Sequence, residues 1–500
     1  METVCGVDLG TQSCKVIVYD PIKKRTALRV QAPLSIITRN DGTREQLGSW
    51  YEEALFECFK AIPLELRQTI VAIGVSGQQH GFVPLDENGV VIRPVKLWND
   101  TSTAAESVEL TMLAGGEQAL LRKTGMLMLP GYTAPKIYWL KKHEPENYAR
   151  LRHVLLPHDF INFLLTGNYA TEYGDASGTA LFDVRRRTWS AFICDLIDLS
   201  LLGFLPTIVE PDKPVGVVSQ KAAKWLGIPQ GAIVAAGGGD NMMSAIGTGC
   251  VRDGFLTMSL GTSGTLYGFS ATPVVDPEGN LAAFCSSSGG WLPLLCTMNC
   301  TVASEQVRNL FGMSVEQMNE AAAASAIGAQ GIVVLPFFNG ERIPNLPEGR
   351  ASIMGGTAAN FSRANIVRGA MEAAIFGMRI GLEAFTRMSF HAQEIRLVGG
   401  GSKSAVWRDI ATNVTALPLR IPKEEEAAAL GAALQALWCF ENESNNKKTS
   451  IEEIVDEHVS LEESMNIEPD VTKVREYEHA YTDYMKYLSA LSPLYKTELS

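Results

Sequence analysis

The sequence GAIVAAGGGDNMMSAIGTG, from Gly231 to Gly249, decides how the rest of the chain is interpreted. Its apolar run over 233–236 has the length of a buried strand, and the three glycines after it allow a close approach of the backbone to another group. Asp240 follows directly, so we expect its carboxylate at the carboxyl end of a parallel strand, where α/β folds hold their ligands. We interpret Asp240 as the residue that does chemistry. The alternative is that it caps the helix predicted over 241–246.

A hairpin is predicted over 3–20, where TVCGVDLGTQSCKVIVYD places a glycine-containing turn between two β-rich runs. The tip brings together Asp8, Gly10, Thr11 and Ser13. Backbone N–H groups and hydroxyls at such a tip suit phosphate oxygens, and the carboxylate of Asp8 suits a hydrated magnesium ion. The same residues are also compatible with an ordinary β-turn. A third strand near 27–31 would extend the hairpin.

The second half of the chain repeats this unit. GFLTMSLGTSGTLYGFS begins at Gly254 and aligns its Leu-Gly-Thr at 260–262 with the Leu-Gly-Thr at 9–11. An internal repeat indicates two similar halves, and two such hairpins facing each other would clamp a nucleotide between domains. Ser259 takes the place of Asp8, so the halves are not chemically equivalent. We predict an N-terminal domain over 1–247 and a C-terminal domain over 248–500.

Two further predicted strand ends carry side chains that suit a sugar. A buried strand over 70–76 runs into SGQQHG at 76–81, where His80 could orient a polyhydroxylated substrate or could be bonded within the turn. KLWND at 96–100 offers Trp98 as an apolar face for a sugar ring and Asp100 as an acceptor for its hydroxyls. The same pentapeptide is equally typical of a surface turn.

Glycine and other small residues recur in the C-terminal half. A predicted strand over 395–398 leads into GGGS at 399–402, and a glycine-rich turn between strand and helix is typical of an anion or nucleotide cradle. The helices predicted over 365–388 and 427–438 are rich in small residues, which indicates close packing because a helical glycine costs about 1 kcal/mol. Over 442–470 we expect an exposed, mobile excursion, followed by an amphipathic helix.

Composition excludes several classes of protein. The chain has 43 Lys and Arg against 55 Asp and Glu, a net charge of −12, and no basic run, which argues against nucleic-acid binding. Its nine cysteines are dispersed without a CxxC, as expected of buried thiols in a reducing compartment. We see neither a signal peptide nor an apolar run of transmembrane length. We therefore expect a cytoplasmic protein with no nucleic-acid or membrane partner.

Five motifs in a fixed order resemble the FGGY carbohydrate kinases over nearly the whole chain. They are the DLGT hairpin, GYTAPKIYWL at 131–140, GGGDN at 237–241, SLGTS at 259–263 and LVGGGSKSAVWR at 397–408 with ALGAA after it. The resemblance implies an α/β protein with the actin-like ATPase (ribonuclease H-like) fold, in which two similar domains enclose a nucleotide and sugar cleft. It assigns sugar binding and the catalytic base to the N-terminal domain and nucleotide binding to the C-terminal domain.

The stretches SGQQHG, KLWND and LPGYTAPK are most similar to the family members that act on D-xylulose. The implied reaction is transfer of the γ-phosphoryl group of ATP to the 5-hydroxyl of D-xylulose. The alternatives are a kinase of the same family for ribulose or glycerol, an actin-like or Hsp70-like ATPase, and a non-catalytic sugar-binding regulator. A P-loop kinase is excluded because the chain has no GxxxxGK[ST] motif.

The resemblance also implies residue roles, with ATP and Mg²⁺ as cofactors. Asp240 would be the general base, and Asp8 would lie near magnesium and the phosphates. The implied sugar contacts are Gln79, His80, Asn241, Asp100 and Trp98. The implied phosphate contacts are Thr11, Ser13, Gly261 and Thr262, and the implied nucleoside site is lined by Gly331, Gly400, Gly401 and Ser402. Analogy within the family suggests a homodimer. Three family positions differ here, because Ser102 replaces a common arginine, Gln79 a common methionine and Ile343 the usual threonine.

Overall fold

Strands and helices follow the predicted order over most of the chain. The structure, a computed structural model, describes residues 2–444 and 448–495. Within these residues the strands are β1 (Thr3–Leu9), β2 (Ser13–Asp20), β3 (Arg25–Pro33), β4 (Ile37–Thr38), β5 (Arg44–Gln46), β6 (Ile70–Gly77), β7 (Val83–Leu85), β8 (Val95–Lys96), β9 (His153–Leu155), β10 (Ala170–Glu172), β11 (Phe182–Asp183), β12 (Thr188–Trp189), β13 (Thr207–Val209), β14 (Pro214–Val217), β15 (Ile233–Ala235), β16 (Gly238–Gly239), β17 (Phe255–Leu260), β18 (Gly264–Gly268), β19 (Ala282–Cys285), β20 (Trp291–Thr297), β21 (Val333–Leu335), β22 (Ser352–Met354), β23 (Glu394–Val398) and β24 (Leu419–Arg420).

The α-helices are α1 (Gly48–Ala61), α2 (Leu64–Arg67), α3 (Ala104–Leu113), α4 (Glu117–Lys123), α5 (Thr133–His143), α6 (Pro145–Arg150), α7 (Pro157–Thr166), α8 (Tyr173–Ser177), α9 (Ala191–Ile197), α10 (Gln220–Leu226), α11 (Asp240–Thr248), α12 (Thr301–Leu310), α13 (Val315–Ala324), α14 (Arg363–Arg387), α15 (Ala405–Thr415), α16 (Ala427–Ser444), α17 (Ile451–His458) and α18 (Val471–Leu491). Among the described residues, no helix combines the length and the apolar composition that crossing a membrane requires.

The described residues form two compact units. The first takes 2–252, 269–293, 426–444 and 448–459, and the second takes 253–268, 294–425 and 460–495. The first unit therefore recruits two segments from beyond residue 247. Each compact unit is therefore assembled from separate segments of the chain. The predicted domain boundary between residues 247 and 248 stays a prediction.

The sheet of the first unit has the strand order β14-β15-β6-β1-β2-β3, with β16 also paired to β6. Strands β1 and β2 form the predicted antiparallel hairpin, and β3 contains the predicted third strand. Strand β6 runs parallel to β1, with Asp8 beside Ser76. The carboxyl ends of β1 and β6 therefore meet at one edge of the sheet.

The strand before Asp240 contains one extra residue. Val234 pairs with Ile73 and Gly238 with Ser76, so four steps along β15 and β16 match three steps along β6. This mismatch is a β-bulge, a feature that bends a strand and redirects the residues after it. Helix α11 begins at Asp240, immediately after the bulged strand.

Helix α16 packs against β1, β6 and α11 in the first unit. A Cβ on Gly6 would overlap the carbonyl oxygen of Ala429. A Cβ on Gly247 would likewise overlap the carbonyl oxygen of Ala427. The small residues of this helix therefore permit backbone-to-backbone contact, which confirms the close packing predicted for 427–438.

The second unit repeats the motif of the first. Strands β17 and β18 form an antiparallel hairpin, and β23 runs parallel to β17 with Val398 beside Ser259. The sheet continues in the order β20-β18-β17-β23-β24. Helix α18 is the predicted amphipathic helix, and its buried face includes Tyr477, Tyr481 and Tyr484. The internal repeat read from the sequence is confirmed.

The predicted exposed excursion over 442–470 is wrong for much of the segment that the structure describes. Residues 445–447 lie outside the described residues. Helix α17 follows them and buries Ile451, Ile454 and Val455, while His458 Nδ1 lies 3.0 Å from the hydroxyl of Tyr19. Ile451, Ile454 and Val455 form one apolar stripe at helical spacing. The prediction missed it because it relied on the overall composition of the segment, in which polar and charged residues such as Glu, Lys and Asn predominate.

Candidate active site

Two parallel strands place Asp8 where β1 and β6 end. Ser76 Oγ donates a hydrogen bond to Asp8 Oδ1 across 2.7 Å, because the register sets the two residues side by side. Burial raises the pKa of Asp8, while the bond from Ser76 and the charge of Lys15 partly oppose that rise. The carboxylate is thus held in one orientation at the edge of the sheet.

Asp240 is the first residue of α11, and Gly239 takes the capping position. Oδ1 of Asp240 accepts the backbone N–H of Asn241 across 2.8 Å. Burial, and then the carboxylates of Asp8 and Asp175, raise the pKa of Asp240 to about 7. A carboxyl group with this pKa is suited to exchange a proton near neutral pH.

A chain of side-chain amides joins the end of β6 to the start of α11. Asn241 Nδ2 donates to Gln79 Oε1 across 2.8 Å and lies 3.1 Å from Asp240 Oδ1. Gln79 is 5% exposed, and its Nε2 has no hydrogen-bond partner among the described residues. A buried amide donor without a partner costs free energy, which a ligand oxygen or a water can recover. The structure therefore brings together Asp240, Asn241 and Gln79 as the sequence predicts.

Aromatic rings surround His80, which has a positive φ of 63°. Its ring centroid lies 4.5 Å from that of Tyr132 and 5.8 Å from that of Phe284. The buried ammonium of Lys136 donates to the carbonyl oxygens of His80 (2.6 Å) and Gly131 (2.7 Å). Burial holds the pKa of Lys136 well below its usual range. Lys136 thus fixes the turn that carries His80.

Thr11 joins the hairpin tip to two other segments. Its hydroxyl donates to Gln78 Oε1 and accepts from Trp98 Nε1, each across 3.0 Å. Ser13 opens β2, and its carbonyl oxygen accepts from Gly10 N across 3.0 Å. The structure thus gathers Thr11 and Trp98 beside the end of β6.

Asp100 is fully buried and has both oxygens engaged by the chain. Oδ1 accepts from the backbone N–H and the hydroxyl of Ser102. Oδ2 accepts from Arg44 N across 2.8 Å and from Lys96 Nζ across 3.2 Å. A sugar hydroxyl would have to share these oxygens, so the predicted sugar contact of Asp100 stays a prediction.

The predicted nucleotide residues of the second unit fall in two places. Gly261 and Thr262 form the β17–β18 turn, and their carbonyl oxygens accept from the start of α12. The turn over 400–403 follows β23, and a Cβ on Gly401 would lie 2.7 Å from Leu260 Cβ, so it adjoins that hairpin. Ser402 Oγ donates to the carbonyl oxygen of Gly399. Gly331 lies before β21, beside a cavity of about 20 Å³.

Sequence reasoning missed a buried cluster next to Asp240. His158 Nδ1 lies 2.7 Å from Asp175 Oδ2, and His158 Nε2 lies 2.9 Å from Asp159 Oδ1. Burial alone would lower the pKa of His158, but these carboxylates outweigh it and hold the pKa well above its usual value. The segment around Asp175 reads as a loop or edge strand, whereas it forms α8, capped by Glu172. The signal that could have indicated this cluster is the presence of His158, Asp159 and Asp175 within otherwise buried segments.

The pair of Asp8 and Asp240 suits a magnesium ion, which does not need a complete set of protein ligands. Among residues 2–444 and 448–495, no group of three or more His, Cys, Asp or Glu side chains is arranged to hold a metal ion. Magnesium is commonly bound through one or two carboxylates together with substrate phosphates and waters. The charge of Asp8 raises the pKa of Asp240, and the two carboxylates together offer the negative field that such an ion requires.

Comparison with known proteins agrees with this geometry. Residues 3–247 match the sequence model of the FGGY family of carbohydrate kinases, N-terminal domain, and residues 256–440 match that of the C-terminal domain. The xylulose kinase of Haemophilus influenzae is 41% identical over 97% of this chain and 99% of its own. The crystal structure of a xyloylose kinase from Brucella ovis is 29% identical, covers 99% of this chain and 100% of its own, and has a TM-score of 0.91. The xylulose kinase of Bifidobacterium adolescentis is also 29% identical, covering 96% and 99%, with a TM-score of 0.82.

The fold and these relatives define a sugar kinase of the actin-like ATPase fold. The chain belongs to the FGGY family of carbohydrate kinases. It is an enzyme that uses ATP to phosphorylate a carbohydrate.

Proposed function

We propose that the enzyme transfers the γ-phosphoryl group of ATP to the 5-hydroxyl of D-xylulose, forming D-xylulose 5-phosphate and ADP. The observation that carries the proposal is the group of Asp240, Asn241 and Gln79, in which a carboxylate and a buried amide donor are linked by one hydrogen-bonded chain. The full-length similarity to a xylulose kinase supports the choice of sugar.

Asp240 is the proposed general base. Its Oδ1 accepts from the backbone of Asn241, which leaves Oδ2 for the sugar hydroxyl. As the hydroxyl oxygen attacks the γ-phosphorus and the bond to ADP breaks, Oδ2 takes the hydroxyl proton. A base with a pKa of about 7 is ionised in part at neutral pH and binds the proton strongly enough to assist the attack.

Asp8 is the proposed magnesium residue. Magnesium, when bound, neutralises charge on the phosphates of ATP. Ser76 keeps the Asp8 carboxylate oriented for this role through its 2.7 Å hydrogen bond. Thr11 and Ser13, at the neighbouring hairpin tip, are the proposed phosphate contacts of the first unit.

Sugar binding is proposed for the polar and aromatic groups around Asp240. Gln79 Nε2 would donate to a sugar oxygen, and Asn241 would hold the Gln79 amide in place. His80, Trp98 and Asp100 are the further proposed contacts. Nucleotide binding is proposed for the second unit, through Gly261, Thr262, Gly331, Gly400, Gly401 and Ser402. Family analogy also suggests a cytoplasmic homodimer, which size-exclusion chromatography with light scattering would test.

A second candidate is a kinase of the same family for another pentulose or for a polyol. Two departures in the proposed sugar pocket favour it, namely Gln79 in place of methionine and Ser102 in place of arginine. An amide at position 79 adds a hydrogen-bond donor where a thioether would contribute apolar contact.

The test is magnesium-dependent ADP release with D-xylulose, D-ribulose, L-ribulose, L-xylulose and glycerol, together with a blank that lacks sugar. We expect the highest kcat/KM for D-xylulose, with mass spectrometry of the product showing one added phosphate. A higher kcat/KM for another acceptor would support the second candidate. ADP release that is indifferent to every acceptor would overturn both.

A further inference from the structure

The extra residue in the strand before Asp240 leaves backbone groups without partners in the sheet. A bulge removes such groups from the ladder, and buried N–H and C=O groups must be satisfied elsewhere. Here they bond to side chains. Gly237 N donates to Gln435 Oε1 across 2.7 Å, and Gln435 Nε2 donates to Gly237 O across 3.0 Å. Asn162 Nδ2 donates to the carbonyl oxygen of Ala236 across 2.9 Å.

Gly237 occupies a conformation that requires glycine. Its φ is +79°, and a Cβ there would lie 2.6 Å from the carbonyl oxygen of Val75. The bulge therefore has little freedom to rearrange around a side chain of its own. The amide of Gln435 takes the place of the missing strand neighbour by pairing with both polar groups of one residue.

Gln435 is itself held firmly. It lies on α16 with no exposed surface, and its Nε2 also lies 3.3 Å from the carbonyl oxygen of Ser287. A Cβ on Gly431 of α16 would overlap the carbonyl oxygen of Met243 on α11, so the backbones of the two helices are in direct contact. The same helix thus contacts the bulge before Asp240 and the helix that begins with Asp240.

We propose that Gln435 is a positioning residue for phosphoryl transfer. By pairing with both polar groups of Gly237, it fixes the bulge, and the bulge sets where α11 begins and where the Asp240 carboxylate points. This inference rests on the proposed function, because it assigns Gln435 the task of aiming the proposed base. Gln435 lies within the segment that matches the C-terminal domain of the family, yet it packs in the first unit and serves a residue of the N-terminal domain.

The test replaces Gln435 by methionine, which has a similar length and neither a donor nor an amide acceptor. The expected result is a fall in kcat of about 10- to 100-fold, since a small displacement of a catalytic group has costs of that order. KM for ATP should stay near that of the wild type. Hydrogen exchange followed by mass spectrometry should show faster exchange in the peptide that contains Gly237.

The matched control is Leu437→Ala. Leu437 is buried on the same helix, and two residues of helical rotation place it on the side away from Gln435. This variant should lower Tm at least as much as Gln435→Met while it leaves kcat and exchange at Gly237 close to wild type. If Gln435→Met fails to fold, Gln435→Glu takes its place, since glutamate keeps the acceptor for Gly237 N and loses the amide donor.

The outcomes separate this inference from the proposed function. A Gln435→Met enzyme whose kcat stays within about twofold of wild type, or falls no further than that of Leu437→Ala, would overturn the positioning role. Unchanged exchange at Gly237 would overturn it as well. A wild-type enzyme without sugar-dependent turnover would instead defeat the proposed function, while the exchange measurement would still report whether Gln435 holds the bulge.

Discussion

Asn241 Nδ2 lies 2.8 Å from Gln79 Oε1, and this hydrogen bond joins the turn after β6 to the first turn of α11. The same nitrogen lies 3.1 Å from Asp240 Oδ1. One amide therefore sets the Gln79 side chain relative to the Asp240 carboxylate. Because Asn241 occupies Oε1 of Gln79, the remaining donor, Nε2, is the group that a sugar oxygen would meet.

Replacing Gln79 by leucine should raise KM for D-xylulose by about 5- to 150-fold, because loss of one buried hydrogen bond costs about 1–3 kcal/mol. KM for ATP should change little. Steady-state kinetics with each substrate varied in turn gives both values. Gln68→Leu is the control, since Gln68 also donates through its amide but does so at an exposed position, to Gly227 O. An unchanged KM for the sugar in Gln79→Leu would remove Gln79 from the binding site.

Replacing Asp240 by asparagine should stabilise the protein at alkaline pH. The pKa of Asp240 is about 7 in the folded protein and about 3.9 in an unfolded chain, so the folded state binds this proton more tightly. The free energy of unfolding therefore falls as pH rises from about 4 to 7, and the asparagine variant escapes this loss. The full difference in the pKa of Asp240 between the folded and unfolded chain corresponds to about 4 kcal/mol of unfolding free energy. Because Asp240 is partly exposed to solvent, we expect the asparagine variant to gain about 1–3 kcal/mol.

Urea unfolding without nucleotide or magnesium, at pH 4.5 and pH 8, measures this effect. The gain from Asp240→Asn should be present at pH 8 and nearly absent at pH 4.5. Asp195→Asn, at an exposed position on α9, serves as the control. An equal gain at both pH values would show that the effect does not come from the Asp240 proton.

Local patterns sufficed to predict the elements that carry Asp8 and Asp240. The hairpin around Asp8 and the strand before Asp240 are each predicted by a β-type run of residues, the glycines next to it and a neighbouring polar residue. The structure places both elements at one edge of the sheet. The repeat at 254–268 likewise needs only a comparison of two short stretches. These features are encoded by neighbours in sequence, so no tertiary information is required to find them.

The groups that support the site could not be predicted in this way. Gln435 meets Gly237 across a sequence separation of 198 residues, and although it stands alone among apolar residues over 427–440, the helix pattern does not indicate which backbone it contacts. Asp175 of α8 contacts His158 of α7 through their side chains, and the glycine-rich sequence around Asp175 is typical of a loop. Segment 269–293 supplies Phe284, whose ring lies beside that of His80. Because we predict a domain boundary after residue 247, the sequence gives no reason to expect this contact.

Replacing Gly247 by alanine should destabilise the first unit by about 3 kcal/mol or more, because the new Cβ would overlap the backbone of Ala427 and force α11 and α16 apart. Gly203→Ala is the control, since no atom lies within 4 Å of a Cβ built there. Its effect should be within about 1 kcal/mol, with either sign. Denaturant unfolding of both variants makes the comparison. Similar stabilities would contradict the close contact between the two helices.

Replacing Asp175 by asparagine should lower the pKa of Asp240, because the charge of Asp175 is among those that raise it. If Asp240 is the base, the acidic limb of the pH profile of kcat/KM should move to lower pH. Asp159→Asn is the control, since Asp159 Oδ1 lies 2.9 Å from the other ring nitrogen of His158 and Asp159 is not among the charges that raise the pKa of Asp240. The control should lower Tm in a similar way and leave the acidic limb in place. An acidic limb that does not move in Asp175→Asn would separate Asp175 from the base.

The most direct test compares D-xylulose-dependent ADP release by the wild-type enzyme and by Asp240→Asn, with ATP binding measured on both by calorimetry. The wild type should release ADP only when the sugar is present. The variant should lose about 10²- to 10⁴-fold in kcat, as expected when a general base is removed, while Kd for ATP stays the same. Turnover at the wild-type rate in Asp240→Asn would contradict the account, because the carboxylate at the start of α11 would then have no part in the chemistry.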